Sequence, residues 1–503
     1  LKHVNQQTVS LQDPFAQTHI LGYQGDFYKK QQQWSKAEAF TQKAFQQAHT
    51  LQTPEVLYPL ALQLGRLQKA QGKRTQAIAA YDTAIDALEI LRKDLISTSA
   101  DVQFTFRDDV EPIYREFVKL LLQPDNGHSP EKDDLRRARE LIENLQIAEI
   151  NDYFQDACIQ GTPTLADEID PTAAVIYPIL LDDQLDIIVS IGNDIQHYSQ
   201  PVSSQEIEQK GQQLLAAMRS LNRSRRPYTT QYLQQIYDWV LAPVEDHLSQ
   251  QNVDSLVFVA DGVLRTLPLS ALHDGEQYLI EKYNVVLSPG LSLLDPRPLP
   301  RQGLQMLAGG ISEAQLGFSP LPFVQDELQQ ITAQIPNHQV LLNQTMTNRN
   351  LVESLKTTPA SVVHLATHGE FGPSADDTFI LTWDGKLTME EMSQVLQARN
   401  RSNLSPVELL VFSACKTASG DSRAVLGIAG TAIRSGVRST LAGLWAIDDQ
   451  AAAAFMTEFY QALAQPGTTK AEAFRQAQLA LMADPQFASP YFWSPFVLVG
   501  NWL

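Results

Sequence analysis

Apolar positions recur at helical spacing, three and four residues apart, through the first 160 residues, and positions 134–159 keep a period near 3.6. These helices carry an internal repeat. Gly25, Ala37 and Ala44 return forty residues later as Gly65, Ala77 and Ala84, with Tyr28 three positions after the first glycine and Tyr81 four after Ala77. Small residues at fixed points let two antiparallel helices approach closely, and an aromatic side chain fills the space beside them. This is the packing of a helix–turn–helix solenoid; the alternative is a helical bundle whose alanines coincide. Gln123-Pro-Asp-Asn-Gly-His-Ser-Pro130 interrupts the helices as a surface loop.

After Thr162-Pro-Thr164 the periodicity changes. Positions 173–181 and 185–190 read as the strands of a hairpin, followed by helices over 203–222 and 229–248. The wholly apolar run 255–260 suits a strand buried on both faces, and further strands are expected at 279–287 and 306–309. A proline-rich piece, 294–301, separates two units. Beyond it, strands at 361–367, 407–413 and 439–445 alternate with helices near 324–335, 350–356, 388–397, 424–435, 451–464 and 469–482. Such alternation predicts βαβ units and a mainly parallel sheet with helices on both faces. The organisation expected is a helical repeat region over 1–160, an α/β unit over 161–303 and a second α/β unit over 304–503.

Composition narrows the choices. The 503 residues suit about three domain-sized units, and 44% apolar with 19% charged residues is a globular balance. No apolar stretch approaches the roughly 18 residues that a bilayer span needs. With 38 Lys+Arg against 57 Asp+Glu, the net charge of −19 opposes nucleic acid or an anionic membrane as main partner and leaves room for a basic peptide or protein. Two cysteines, neither in a CxxC pair, cannot build a disulfide framework, which fits a reducing compartment. The chain opens on Leu rather than Met, so either a targeting segment has been removed or a longer chain precedes it, and localisation is left open.

Two expected strands end in reactive residues. Ser361-Val-Val-His-Leu-Ala-Thr-His-Gly-Glu370 closes on His368-Gly369, and Val407-Glu-Leu-Leu-Val-Phe-Ser-Ala-Cys-Lys-Thr417 closes on Cys415. In open α/β sheets catalytic groups gather at the carboxyl ends of strands, and sequential strands are commonly neighbours. The two side chains then converge. An imidazole beside a thiol lowers its pKa, stabilises the thiolate and can protonate a leaving amine. Gly369 lets backbone approach a substrate carbonyl, so its N–H and that of Cys415 are candidates for an oxyanion hole. A lone cysteine at a strand end is more often inert packing; here small Ser413-Ala414 before it and polar Lys416-Thr417-Ala-Ser-Gly420 after it favour an exposed elbow. His364 and His368 could be a metal pair on a helix, but on a strand four residues span about 13 Å, and no Glu follows His364 as a HExxH site requires. His364 is therefore expected in the core, and Cys158, at the apolar end of its helix, as a small buried hydrophobe. No metal ligand set is assigned.

These residues resemble a known family. His364-Leu-Ala-Thr-His-Gly369, Phe412-Ser-Ala-Cys-Lys-Thr417, Gly443-Leu-Trp-Ala-Ile-Asp-Asp449 and Ser494-Pro-Phe-Val-Leu-Val-Gly-Asn-Trp502 are similar to the hallmarks of CHAT domains, caspase-like domains associated with tetratricopeptide repeats and related to separase. The spacing of 47 residues between His368 and Cys415 is also close to the caspase His-to-Cys separation of about 50. The resemblance covers roughly 165–503, and the upstream repeats resemble tetratricopeptide repeats at Leu64-Gly65 and Ala77…Tyr81…Ala84, their period of 40 implying an enlarged loop.

The resemblance implies a caspase-like α/β/α domain over 304–503, preceded over 161–303 by a degenerate caspase-like unit that lacks the His-Gly and Cys pair. It implies a cysteine endopeptidase with Cys415 as nucleophile and His368 as general acid/base, acting without a cofactor on a protein or peptide substrate, with the repeats binding a regulatory protein. Bacterial, cytoplasmic proteins are the usual carriers. It further implies cleavage after Arg, because Leu444-Trp-Ala-Ile-Asp-Asp449 is similar to the separase segment whose acidic residue receives that side chain. By this match Asp449 lines the pocket, with Asp448 second and with Asp376 and Asp377 as further candidates; a carboxylate takes a guanidinium in bidentate geometry. An Asp pair before a helix also suits an N-cap. The other functional class is a non-catalytic adaptor that keeps the caspase-like unit as a platform.

Overall fold

The computed structural model describes residues 13–98, 110–123, 129–154, 170–219, 226–294, 297–300, 304–372, 378–402, 404–413, 415–417, 430 and 433–503. Among these, residues up to Leu145 form one compact unit, and those from Gln146 onward form a second.

The first unit is helical. Helix α1 (Pro14–Lys30) and α2 (Trp34–Leu51) form one hairpin, and α3 (Pro54–Ala70) and α4 (Arg74–Thr98) repeat it forty residues later. α5 (Glu111–Leu122) and α6 (Lys132–Phe154) follow. The starts are set by local chemistry: the Asp13 carboxylate accepts from the N–H groups of Phe15 and Ala16 at 3.0 and 3.1 Å, with Pro14 in the first turn. The repeat glycines mark close helix contacts. A Cβ on Gly65 would lie 2.9 Å from the Tyr81 ring, and one on Gly25 would lie 2.2 Å from the Thr41 hydroxyl. Thr41 thus fills in the first hairpin the place that Tyr81 fills in the second, while Tyr28 stacks on Phe40 instead.

The second unit is built on an eleven-stranded sheet. Its strands are β1 (Ala173–Leu180), β2 (Leu185–Ile191), β3 (Asp194–Gln200), β4 (Ser255–Phe258), β5 (Asn284–Leu287), β6 (Gln305–Gly310), β7 (Asn337–Leu342), β8 (Val362–Ala366), β12 (Leu409–Phe412), β14 (Ser439–Gly443) and β15 (Phe496–Gly500). They run in the order β3-β2-β1-β4-β5-β15-β14-β12-β8-β6-β7. Antiparallel pairing is confined to the β1–β2–β3 edge and to β14–β15; the other pairs are parallel. One sheet therefore crosses residue 304 without a break, and β15, from the end of the chain, joins β14 to β5. A second sheet, β11-β10-β9-β13, comprises β9 (Gly369–Phe371), β10 (Phe379–Leu381), β11 (Lys386–Thr388) and β13 (Cys415–Thr417). Helices α7 (Ser204–Met218), α8 (Arg226–Val240), α9 (Val324–Gln334), α10 (Asn348–Thr357), α11 (Met389–Asn400), α12 (Asp449–Leu463) and α13 (Lys470–Ala483) connect the strands.

Most expected strands occur, with β1, β2, β4, β6, β8, β12 and β14 each within its predicted segment or one residue beyond it. The segment 279–287 does not run as one strand. Leu279–Lys282 is a helical turn, because the Glu281 carboxylate reaches back to the Tyr278 N–H at 2.7 Å, and only Asn284–Leu287 is extended. The polar edge strand β7, whose exposed residues lack alternation, lies outside the predicted strands.

One buried cation is out of place in this core. Lys470 opens α13, fully buried, and its Nζ has no hydrogen-bond partner among the described residues. Burial pushes its pKa down to about 7, against the pull of Glu408 and with the push of Arg438. In the unfolded chain the amine titrates near 10.5, so between the two values the folded state holds fewer protons than the unfolded state. Its contribution therefore makes stability rise with pH across that window and leaves it flat below. Lys470→Met is expected to stabilise the protein by about 1–4 kcal/mol near neutral pH. The wild-type-minus-variant difference in urea unfolding should shrink as pH is raised from about 7 toward 10.

Candidate active site

His368 and Cys415 lie just past the carboxyl ends of adjacent parallel strands. In the main sheet β12 pairs with β8 so that Phe412 faces Leu365. In the second sheet β13 pairs with β9 in parallel so that Cys415 faces Gly369. Three positions, 366–368, separate Leu365 from Gly369 in sequence, whereas two, 413 and 414, separate Phe412 from Cys415. The register puts the Cys415 Cα one strand spacing, about 4.8 Å, from that of Gly369, the residue after His368.

His368 is half-buried and held from two sides. Its own carbonyl accepts from the Leu381 N–H at 2.7 Å, and Thr367 before it donates from Oγ1 to the Leu381 carbonyl at 3.0 Å. Its Nε2 lies 2.8 Å from the Ser319 carbonyl, and Phe318 packs on the ring at 5.1 Å. A carbonyl oxygen can only accept, so Nε2 carries the hydrogen and Nδ1 is the basic nitrogen of the neutral ring. Phe318 and Ser319 reach this position because the β6–α9 loop reverses at Leu316 and Gly317, whose φ values of 48 and 87° lie in the left-handed region, with the Phe318 N–H closing on the Gln315 carbonyl at 2.9 Å.

The acidic pair divides its roles. Asp448 is the N-cap of α12, its Oδ1 accepting from the Ala451 N–H at 3.0 Å. Asp449 is half-buried; its Oδ2 accepts from the Phe323 N–H at 2.8 Å, and its Oδ1 is buried without a hydrogen-bond partner among the described residues. Burial raises its pKa above the usual carboxylate value; the Phe323 N–H opposes this, the Glu327 and Asp448 charges add to it, and His368 pulls it down. That last influence places His368 and Asp449 in one electrostatic neighbourhood.

His364 is a core histidine. It is fully buried, with Nε2 2.8 Å from Glu327 Oε1 and Nδ1 3.2 Å from the Tyr460 hydroxyl. Burial, with Glu327 adding, lifts the Tyr460 phenol well above its ordinary value. No group of three or more metal-ligating side chains occurs among the described residues, and no helix there is long and apolar enough to cross a membrane. Cys158, Asp376 and Asp377 lie outside the described residues. Sequence reasoning missed the Ser319 carbonyl and the Phe323 N–H. Backbone groups leave no side-chain signature, and only the Leu316-Gly317 turn marks the loop that delivers them.

A mainly parallel α/β fold, with His368 in the link between β8 and β9 and Cys415 paired to Gly369 beside it, is the class that the geometry defines. The CHAT domain profile matches residues 230–501, more than half of the chain, and the chain belongs to the CHAT domain family. No curated protein matches it. Among solved structures it is similar to the Saccharomyces cerevisiae separase–securin complex, with TM-score 0.48 and 10% identity over 99% of this chain and 48% of that one. It is also similar to gingipain R (RGPB), an Arg-specific cysteine proteinase, with TM-score 0.34 and 10% identity over 59% of this chain and 74% of that one. The chain thus spans about half the length of the separase chain, at 48%.

Proposed function

We propose that the protein is a cysteine endopeptidase. Nδ1 of His368 takes the Cys415 thiol proton, the thiolate attacks the carbonyl carbon of a substrate peptide bond to form the C–S bond, and the imidazolium returns that proton to the amine as the C–N bond breaks. Water then attacks the thioester, His368 takes its proton, and the acid product leaves with the thiol restored. The Ser319 carbonyl keeps the imidazole in the tautomer this cycle needs. The Gly369 and Cys415 N–H groups are assigned to the oxyanion. Asp449, with a buried oxygen free to accept, is assigned to receive a substrate Arg before the scissile bond. Residues 161–303 serve as a degenerate caspase-like companion and 304–503 as the catalytic part. The N-terminal helical hairpins (1–160) recruit the substrate or a regulatory protein.

The observation that supports this reading is the parallel Cys415–Gly369 backbone pairing, Gly369 being the residue after a histidine whose Nε2 is anchored to the Ser319 carbonyl. Iodoacetamide tests it. Cys415 is expected to be alkylated far faster than Cys158, and His368→Ala should bring its rate down to that of an ordinary thiol. Equal, slow labelling in both proteins would leave a platform without chemistry.

A further inference from the structure

The end of α6, from Gln146 to Phe154, belongs to the sheet-containing unit and contacts both of its halves. On the amino-terminal half, Gln146 Nε2 donates to the Ala260 carbonyl at 3.1 Å, and Glu149 pairs with Arg265 at 2.7 Å. On the other half, Tyr153 and Phe154 reach Gly372 and Gly430. The Tyr153 hydroxyl, on a side chain 7% exposed, donates to the Gly372 carbonyl at 3.0 Å and lies 2.7 Å from Thr378 Oγ1. Thr378 Oγ1 in turn accepts from the Gly372 N–H at 3.0 Å. Gly372 directly follows β9, four residues after His368. Phe154 and Ile150 lie against Gly430, where an added Cβ would come within 2.5 and 2.7 Å of them. Gly430 is fifteen residues after Cys415. Leu293 and Ile433 complete this apolar contact, and the Arg434 guanidinium sits 5.3 Å from the Phe154 ring.

Core packing alone would be served by Phe at position 153. A hydroxyl there that satisfies both a backbone carbonyl and a fully buried threonine does more, because it ties the exit of β9 to β10 at a defined distance. β9 is also the strand on which Cys415 is registered.

We infer that the Tyr153–Phe154 end of α6 is a positioning latch for the site, holding the exit of β9 so that His368 and Cys415 keep their mutual register. This rests on the peptidase reading above. Tyr153 and Thr378 act through β9; neither is assigned contact with substrate.

The test uses the full chain with Tyr153→Phe, Thr378→Val and Thr378→Ser. Losing one buried hydrogen bond at this point is expected to slow Cys415 alkylation and lower kcat on a peptide reporter by about tenfold, with KM held within about twofold. Thr378→Ser, which keeps the hydroxyl, should behave as wild type. Deuterium exchange should quicken at 369–371 in the first two variants while β1 and β14 keep their protection. Wild-type alkylation, turnover and exchange in Tyr153→Phe and Thr378→Val would overturn the latch. So would exchange that quickens equally in β1 and β14, which marks general packing. An inert wild-type Cys415 would instead remove the peptidase reading, and the exchange measurement would still decide whether β9 is held from α6.

Discussion

Alanine at Cys415 is expected to lower kcat/KM on a peptide reporter by about 10⁴-fold or more, and alanine at His368 by a comparable factor. The two losses should not add. The thiolate exists because the imidazole takes the thiol proton, and that proton is the one the imidazole delivers to the leaving amine, so removing either ends the same reaction path. Both variants should keep the wild-type unfolding midpoint within a few degrees. The neighbours of His368 are held independently of its ring: Leu381 binds the His368 backbone, Thr367 binds Leu381, and the β12–β8 ladder lies below them. The double variant measured beside the singles checks the claim. An additive loss would mean that the two groups work in separate steps, and full activity in either single variant would remove it from the chemistry.

How much of this was legible before the fold depended on the range of the interaction. The apolar runs that became β4, β8, β12 and β14 announce themselves because strands buried on both faces leave no polar alternation to confuse with helix. The forty-residue repeat is equally plain, since close helix contact requires Gly25 and Gly65 where it occurs. The placement of His368 and Cys415 just past two adjacent parallel strands followed from one topological rule about strand ends. What stayed hidden is the means of fine placement. The change of register between Phe412–Leu365 and Cys415–Gly369 is a count of residues across two strands, and neither segment shows it alone. The Ser319 carbonyl that selects the His368 tautomer is 49 residues away and chemically anonymous. Tyr153 is 219 residues from Gly372, in a stretch whose helical period predicts burial but no partner. The polar runs at β7 and the turn at Leu279–Lys282 were decided by sheet edge and capping, where propensity is weakest.

Asp449→Asn is expected to reduce cleavage of an Arg reporter by about 10²–10³-fold in kcat/KM, because a guanidinium meeting a half-buried site then finds no opposing charge. The same change should raise, not lower, the stability of the free protein at neutral pH. In the folded state the Asp449 carboxyl holds its proton above the usual carboxylate value, chiefly through burial and then through the nearby Glu327 and Asp448 charges. A carboxyl with a raised folded pKa stabilises the protein at low pH, and that contribution is lost as pH rises through the folded value. Near neutrality the ionised group is therefore a liability, and Asn removes the charge while its side-chain oxygen still accepts from Phe323. A gain of about 1–3 °C in unfolding midpoint is expected. The opposite pairing of effects is expected at the neighbouring residue. Asp448→Ala removes an N-cap, lowering stability by about 1 kcal/mol, and should leave Arg selectivity in place. The ionisation also predicts a pH signature: KM for the Arg reporter rises as pH falls through the raised Asp449 value, and the rise disappears in Asp449→Asn. A carboxylate kept solely to tie α12 to the β6–α9 loop would show the reverse, with stability lost on substitution and reporter cleavage falling only as the protein unfolds.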